Sequence, residues 1–152
     1  MWYDRKDKDN IDFVCCMVEV IGRKTKNRRH DVIEYLRDGL AHELEYADVT
    51  HCLPLEQTAE EWIEIYHIPD GAYDTISGNE YDIPSSSAIG RVYQNLVLGA
   101  ANSHEDTVKA IEAVFASPII DNITDFDSGV YYRSPSYLQY CYEQGELEDY
   151  YM

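Results

Sequence analysis

Apolar residues recur at helical spacing along almost the whole chain. Over residues 10–22 the set Ile11, Val14, Cys15, Val18 and Ile21 marks one helical face, and Phe13, Met17 and Val20 widen it until the segment is apolar nearly all round. Such a helix belongs at the centre of a bundle, because every side of it needs cover. Gly22 and the polar stretch 23–29 end it. A second helix is expected over 30–37, with Val32, Ile33 and Leu36 inward and Asn27 standing where a cap would. Gly39 separates it from a short third helix carrying Leu40, Leu44 and Ala47. Thr58 with Glu61 reads as a capping box that opens a helix with Ala59, Trp62, Ile63 and Tyr66.

Residues 69–87 break the pattern. They hold Gly71, Gly78, Pro84 and three successive serines without a sustained apolar period, which reads as a linker. Beyond it Ile89, Val92, Tyr93, Leu96 and Val97 form one stripe. Ser103 and Asp106 read as another capping box, ahead of Val108, Ile111, Val114 and Phe115. Ser117-Pro118 and Ser134-Pro135 each look like an N-cap followed by proline at the first helical position. They would open a helix with Ile119, Ile120, Ile123 and Phe126, and a last one with Leu138, Cys141 and Tyr142 that Gly145 ends. Asp127-Ser128-Gly129 reads as a turn. The expected fold is mainly all-α, with about seven or eight helices. An N-terminal helical module (1–68), the linker (69–87) and a C-terminal helical module (88–152) pack as two small halves. One short strand pair has room near 49–53 or within 69–87.

At 152 residues the chain suits one domain, or two very small ones packed together. No run approaches the roughly 20 apolar residues of a membrane span. The start lacks the apolar core of a signal peptide. These features lead us to expect a cytoplasmic protein of a bacterium, or of the host if phage-encoded, with no membrane partner. Cys15, Cys16, Cys52 and Cys141 have no regular spacing and read as reduced core residues.

Charge changes the picture most. The formal net charge is −17, and it is unevenly placed. Residues 1–37 hold nine basic and seven acidic side chains; from Asp38 onward three basic residues oppose 22 acidic ones, a net of −19. Such a surface repels phosphate backbones and favours basic partners. Direct nucleic-acid binding is therefore not expected.

No assembled chemistry is legible. There is no phosphate-cradling glycine loop and no G-x-S-x-G elbow. His42-Glu43 begins like a zinc-protease motif, but Tyr46 stands where the second histidine is needed. The stretch 125–129 resembles a calcium loop whose glycine comes one place early, with Ser136 in place of the closing glutamate. The expectation is a protein that is not an enzyme, with no cofactor, no metal and no catalytic residue.

Two features rise above background. Arg23, Lys24, Lys26, Arg28 and Arg29 put five cations into seven residues between two helices. They read either as a contact for phosphate groups or an acidic partner, or as a solvated turn that complements the first helix's dipole. The C-terminal stretch 130–152 contains seven of the 14 tyrosines, Tyr131, Tyr132, Tyr137, Tyr140, Tyr142, Tyr150 and Tyr151. Among them stand Glu143, Glu146, Glu148 and Asp149. Tyrosine brings large, rigid area with a polar tip, so Tyr131, Tyr132, Tyr137, Tyr140 and these four acids are the candidate partner-binding residues. The other reading is a final helix with some rings inward and an acidic tail.

The order Asn10-Ile11-Asp12-Phe13-Val14, Val32-Ile33-Glu34-Tyr35-Leu36, Gly39-Leu40, Tyr46-Ala47-Asp48-Val49-Thr50-His51 and Glu60-Glu61-Trp62-Ile63-Glu64-Ile65 spans about residues 8–68. It resembles a family of small uncharacterised Firmicutes proteins often encoded beside ADP-ribosyltransferase-like toxins. That resemblance implies an antitoxin-like or accessory role without known catalysis. Pro54 departs from the family's extended segment after the histidine. The resulting expectation is a non-catalytic acidic interaction protein that binds a basic protein partner. The alternative is a nucleic-acid mimic of the anti-restriction or anti-CRISPR type, and a third reading is a ligand pocket between the two halves.

Overall fold

Two aspartates start the longest helix. The Asp4 carboxylate accepts from the Asp7 N–H at 2.8 Å and the Asp7 carboxylate from the Asp4 N–H at 3.2 Å. Both arms of this reciprocal cap are present in the computed structural model, which describes residues 1–148. Helix α1 (Arg5–Thr25) therefore begins before its apolar period does. Its first turns are charged and wet, so the cap sets the start. Residues 13–22 are all buried. At about 1.5 Å per residue α1 is roughly 30 Å long, the diameter of a small domain.

After α1 come α2 (Arg29–Leu36), a 3-10 turn (Arg37–Gly39), α3 (Leu40–Glu45), the single-turn α4 (Ala47–Thr50) and α5 (Leu55–Ile65). The irregular segment 66–85 leads to α6 (Ser86–Ala100), a 3-10 turn (His104–Asp106), α7 (Thr107–Ala116) and α8 (Ile119–Thr124). Two 3-10 turns (Phe126–Ser128 and Val130–Tyr132) precede α9 (Pro135–Gln144). The fold is all-α, and the described residues contain no strand. The strand pair allowed near 49–53 or within 69–87 is absent. Thr50 and His51 instead donate backbone bonds to the Tyr46 and Ala47 carbonyls, and Val49 is 66% exposed with no neighbouring strand to pair with.

α1 is the axis of the molecule. α2, α3, α4 and α5 all pack on it, and its most extensive partner is α6 from the second half of the chain. α6 in turn carries α7 and α9, while α7 closes back on α2 and α3. Both halves thus enter one hydrophobic core, in which Val18 and Ile21 share burial with Leu36, Trp62, Leu96 and Ile111. Gly90 permits the close α1–α6 approach. A Cβ there would lie 2.8 Å from Cys16 Cα and 2.9 Å from Cys16 N.

The caps follow the sequence signals unevenly. Ser134 accepts from the Tyr137 N–H with Pro135 at the first position of α9, and Gly145 ends that helix at φ 83°. Gly129 turns at φ 74°. Thr58, by contrast, is no cap. α5 starts after Pro54, and Thr58 lies fully buried inside the helix, where its hydroxyl donates back to the Pro54 carbonyl at 3.2 Å. Ser103 makes no side-chain cap; the Asp106 carboxylate instead accepts from the Asn102 N–H at 3.0 Å. Asn27 does not cap α2, and its amide donates to Thr25 Oγ1 and the Pro69 carbonyl.

Segment 69–87 is pinned along its length. The Gly71 and Tyr73 N–H groups donate to the Thr25 and Lys26 carbonyls at 2.7 and 2.8 Å, tying it to the end of α1. The Asp74 carboxylate accepts from the Ile76 and Ser77 N–H groups, and these bonds hold its pKa down at about 2. Further on, the Glu80 and Tyr81 N–H groups both donate to Asp127.

Candidate functional site

The helix face that looks wholly apolar carries one charge, and it lies at the centre of the molecule. Glu19 is fully buried, as is Arg29 at the start of α2. Arg29 Nε and Nη2 donate to the two Glu19 carboxylate oxygens at 2.9 and 2.8 Å, a bidentate pair. Arg23 Nε adds a bond at 2.7 Å, and the Tyr93 hydroxyl of α6 donates to Glu19 Oε1 at 2.7 Å. Other guanidinium protons find acceptors as well. Arg29 Nη1 donates to the Asn27 carbonyl, Arg29 Nη2 to Thr75 Oγ1, and Arg23 Nη2 to the Pro84 carbonyl. Burial by itself would raise the Glu19 carboxyl, but the bonds and charge of Arg29, with Arg23 and Tyr93, outweigh it and hold the pKa below the ordinary value. Burial, then the Glu19 charge, push the Tyr93 phenol well up. Nothing here is poised to exchange a proton near neutrality, so the cluster locks the fold and offers no reactive group. Thr75 and Pro84 make segment 69–87 the cover over it.

This cluster absorbs much of the predicted basic run. Arg29 is inaccessible and Arg23 is only 16% exposed in its side chain. Lys24 reaches Glu60 at 2.8 Å and Glu56 at 3.5 Å. Arg28 pairs with Asp121 and lies 4.4 Å over the Tyr73 ring. Lys26 is exposed, in the left-handed conformation that ends α1. Four of the five cations are therefore held by carboxylates, Arg23 and Arg29 by Glu19, Lys24 by Glu60 and Arg28 by Asp121, instead of forming one positive face.

The candidate partner-binding residues also separate. Tyr132 is 84% exposed, Tyr140 is exposed on α9, and Glu143 and Glu146 continue that exposed side. Tyr137 is buried; the Arg133 guanidinium lies 4.4 Å over its ring, and its hydroxyl donates to the Glu148 carbonyl. Tyr131 is half-buried, edge-on to Phe126 and Tyr132. Tyr142 is half-buried too, and burial raises its phenol. Asp149, Tyr150 and Tyr151 lie outside the described residues.

A groove of about 680 Å³ is lined by Asp4, Lys6, Asp7, Asn10 and Ile11 of the α1 start, by Ala41, Leu44 and Glu45 of α3, and by His104, Glu105, Thr107 and Val108. Its rim is tied by His104 Nδ1 to Asp7 at 2.8 Å and by Lys6 to Asp48 at 3.6 Å. Among the described residues no three His, Cys, Asp or Glu side chains converge as a metal site, and no helix is long and apolar enough to cross a membrane. Cys15, Cys16 and Cys141 are buried, and Cys52 is exposed.

No protein-family model matches the chain, and neither a curated protein nor a solved structure resembles it closely enough to count as a match.

Proposed function

We infer that this is a non-catalytic, acidic interaction protein, antitoxin-like or accessory in role, that binds a basic protein partner. The observation that carries this reading is the fate of the cations. Arg5, Lys6, Arg23, Lys24, Arg28, Arg29, Arg37 and Arg91 are all engaged by carboxylates of the same chain. Glu45, Glu61, Glu64, Asp70, Asp82, Glu105, Glu143 and Glu146 are exposed, and among the described residues no cation pairs with them. The surface is thus left with a surplus of carboxylates. Such a field raises the encounter rate with positive partners, while exposed rings such as Tyr132 and Tyr140 supply contact area.

The test is affinity capture from host lysate with the full chain as bait. A basic protein should be recovered, with capture that weakens as salt rises past roughly 0.15 M, where the screening length falls to about 8 Å. Recovery of nothing at low and moderate salt would refute the reading. Displacement of the captured protein by duplex DNA would transfer support to the nucleic-acid mimic.

A further inference from the structure

We propose that the groove between the start of α1, α3 and the 104–108 turn is where the partner docks, and that it receives an extended, lysine- or arginine-bearing segment. The proposal rests on the reading that the partner is basic, and it assigns the surface. Its anchor is Asn10. This residue is 8% exposed and lines the groove, yet its side-chain amide makes no hydrogen bond among the described residues. Every other strongly buried polar side chain near the helix core is tied to a neighbour: Gln94 donates to the Lys8 carbonyl, Asn27 to Thr25 and Pro69, Thr25 to Ile21. Among the described residues no side-chain N or O atom is both buried and unsatisfied, so the Asn10 amide, which has no protein partner, opens onto the groove, where a ligand can take the place of water. A side-chain amide has one acceptor and two donors, the complement of a peptide group.

The walls specify the rest. Ile11, Ala41, Leu44 and Val108 give an apolar floor, suited to the methylene stems of long cationic side chains. Glu45 and Glu105, from different elements, are exposed and have no cation within bridging distance. The other charges are occupied. Asp7 spends its carboxylate on the Asp4 N–H and on His104, and Lys6 is turned to Asp48. A cationic head that lies over the floor therefore meets two unspent carboxylates, and an anionic one meets repulsion. The volume of about 680 Å³ admits a few residues of extended chain, not a folded domain.

The experiment titrates the ¹⁵N-labelled full chain with a short blocked peptide alternating lysine and valine. The side-chain NH₂ signals of Asn10 and the backbone signals of Glu45, Glu105 and Val108 should move saturably. Glu45→Lys with Glu105→Lys should weaken binding by about tenfold or more, worth ~1.4 kcal/mol. Asp38→Lys with Asp125→Lys, on exposed carboxylates away from the groove, should leave it within about twofold. Both pairs are exposed, and circular dichroism checks that the fold is kept. Shifts spread evenly over the acidic surface, an unchanged affinity in the groove variant, or equal binding by spermidine would each overturn the proposal. The captured basic protein separates the two claims. If the groove variant still retains it and a Glu143→Lys with Glu146→Lys variant at the end of α9 does not, the groove is wrong and the basic-partner reading stands.

Discussion

Replacing Glu19 by glutamine would leave the shape of the core intact and remove the negative charge that compensates Arg29. Arg29 is fully buried and spends two of its bonds on Glu19 at 2.9 and 2.8 Å. In the variant its guanidinium faces a neutral amide. Two unit charges about 4 Å apart attract by roughly 4 kcal/mol at an effective dielectric near 20. Removing one member of a buried pair typically costs about 3–5 kcal/mol, because the other charge is stranded. Arg23 adds little, since it reaches solvent and also holds the Pro84 carbonyl. The expected loss is therefore about 3–4 kcal/mol by urea denaturation at pH 7, out of a total that for such domains is about 5–15 kcal/mol. At roughly 2–4 °C per kcal/mol the midpoint should fall by about 6–15 °C. The pH dependence has a fixed sign. Glu19 has a folded pKa below its ordinary 4.5, so its contribution is complete above that value and disappears as the pH falls through the lowered one. The gap between parent and variant should thus be flat through neutrality and close in acid. Combining Glu19→Leu, Arg29→Met and Tyr93→Phe removes the whole buried set and should cost less than Glu19→Gln alone. A loss under about 1 kcal/mol for Glu19→Gln, or three changes that simply add, would refute this account of the centre.

Gly90→Ala should destabilise the protein by about 1–3 kcal/mol in thermal melts, although alanine is favoured in a helix by roughly 1 kcal/mol, because the added methyl meets the α1 backbone at Cys16. An increase in stability would show that α1 and α6 part without cost. Thiol titration with a disulfide reagent should find one fast group, the exposed Cys52, and three that react only on unfolding. Burial pushes Cys15 well up and Cys16 up to about 12, so neither is a thiolate near neutrality. A second fast thiol in the native protein would contradict the packing of α1.

The sequence by itself determined the class of fold and the centre of the bundle. A run that is apolar on all sides must be surrounded, and α1 is. The last helix was readable at both ends, because a serine–proline start and a left-handed glycine stop are local signals. The surplus of carboxylates was also plain from composition, since no fold can bury so many. Only the tertiary structure decided which charges stay on the surface. Glu19 interrupts an apolar run and so announces that a partner must exist, but Arg29 and Tyr93 reach it from another helix and from the far half of the chain, which no local period encodes. The same holds for the basic run, four of whose five cations are spent on Glu19, Glu60 and Asp121, and for Asn10, a plain polar residue until α3 and the 104–108 turn form the groove it lines. Local pattern fixes which residues are helical. Long-range packing decides which polar groups are paired and which are left without a partner.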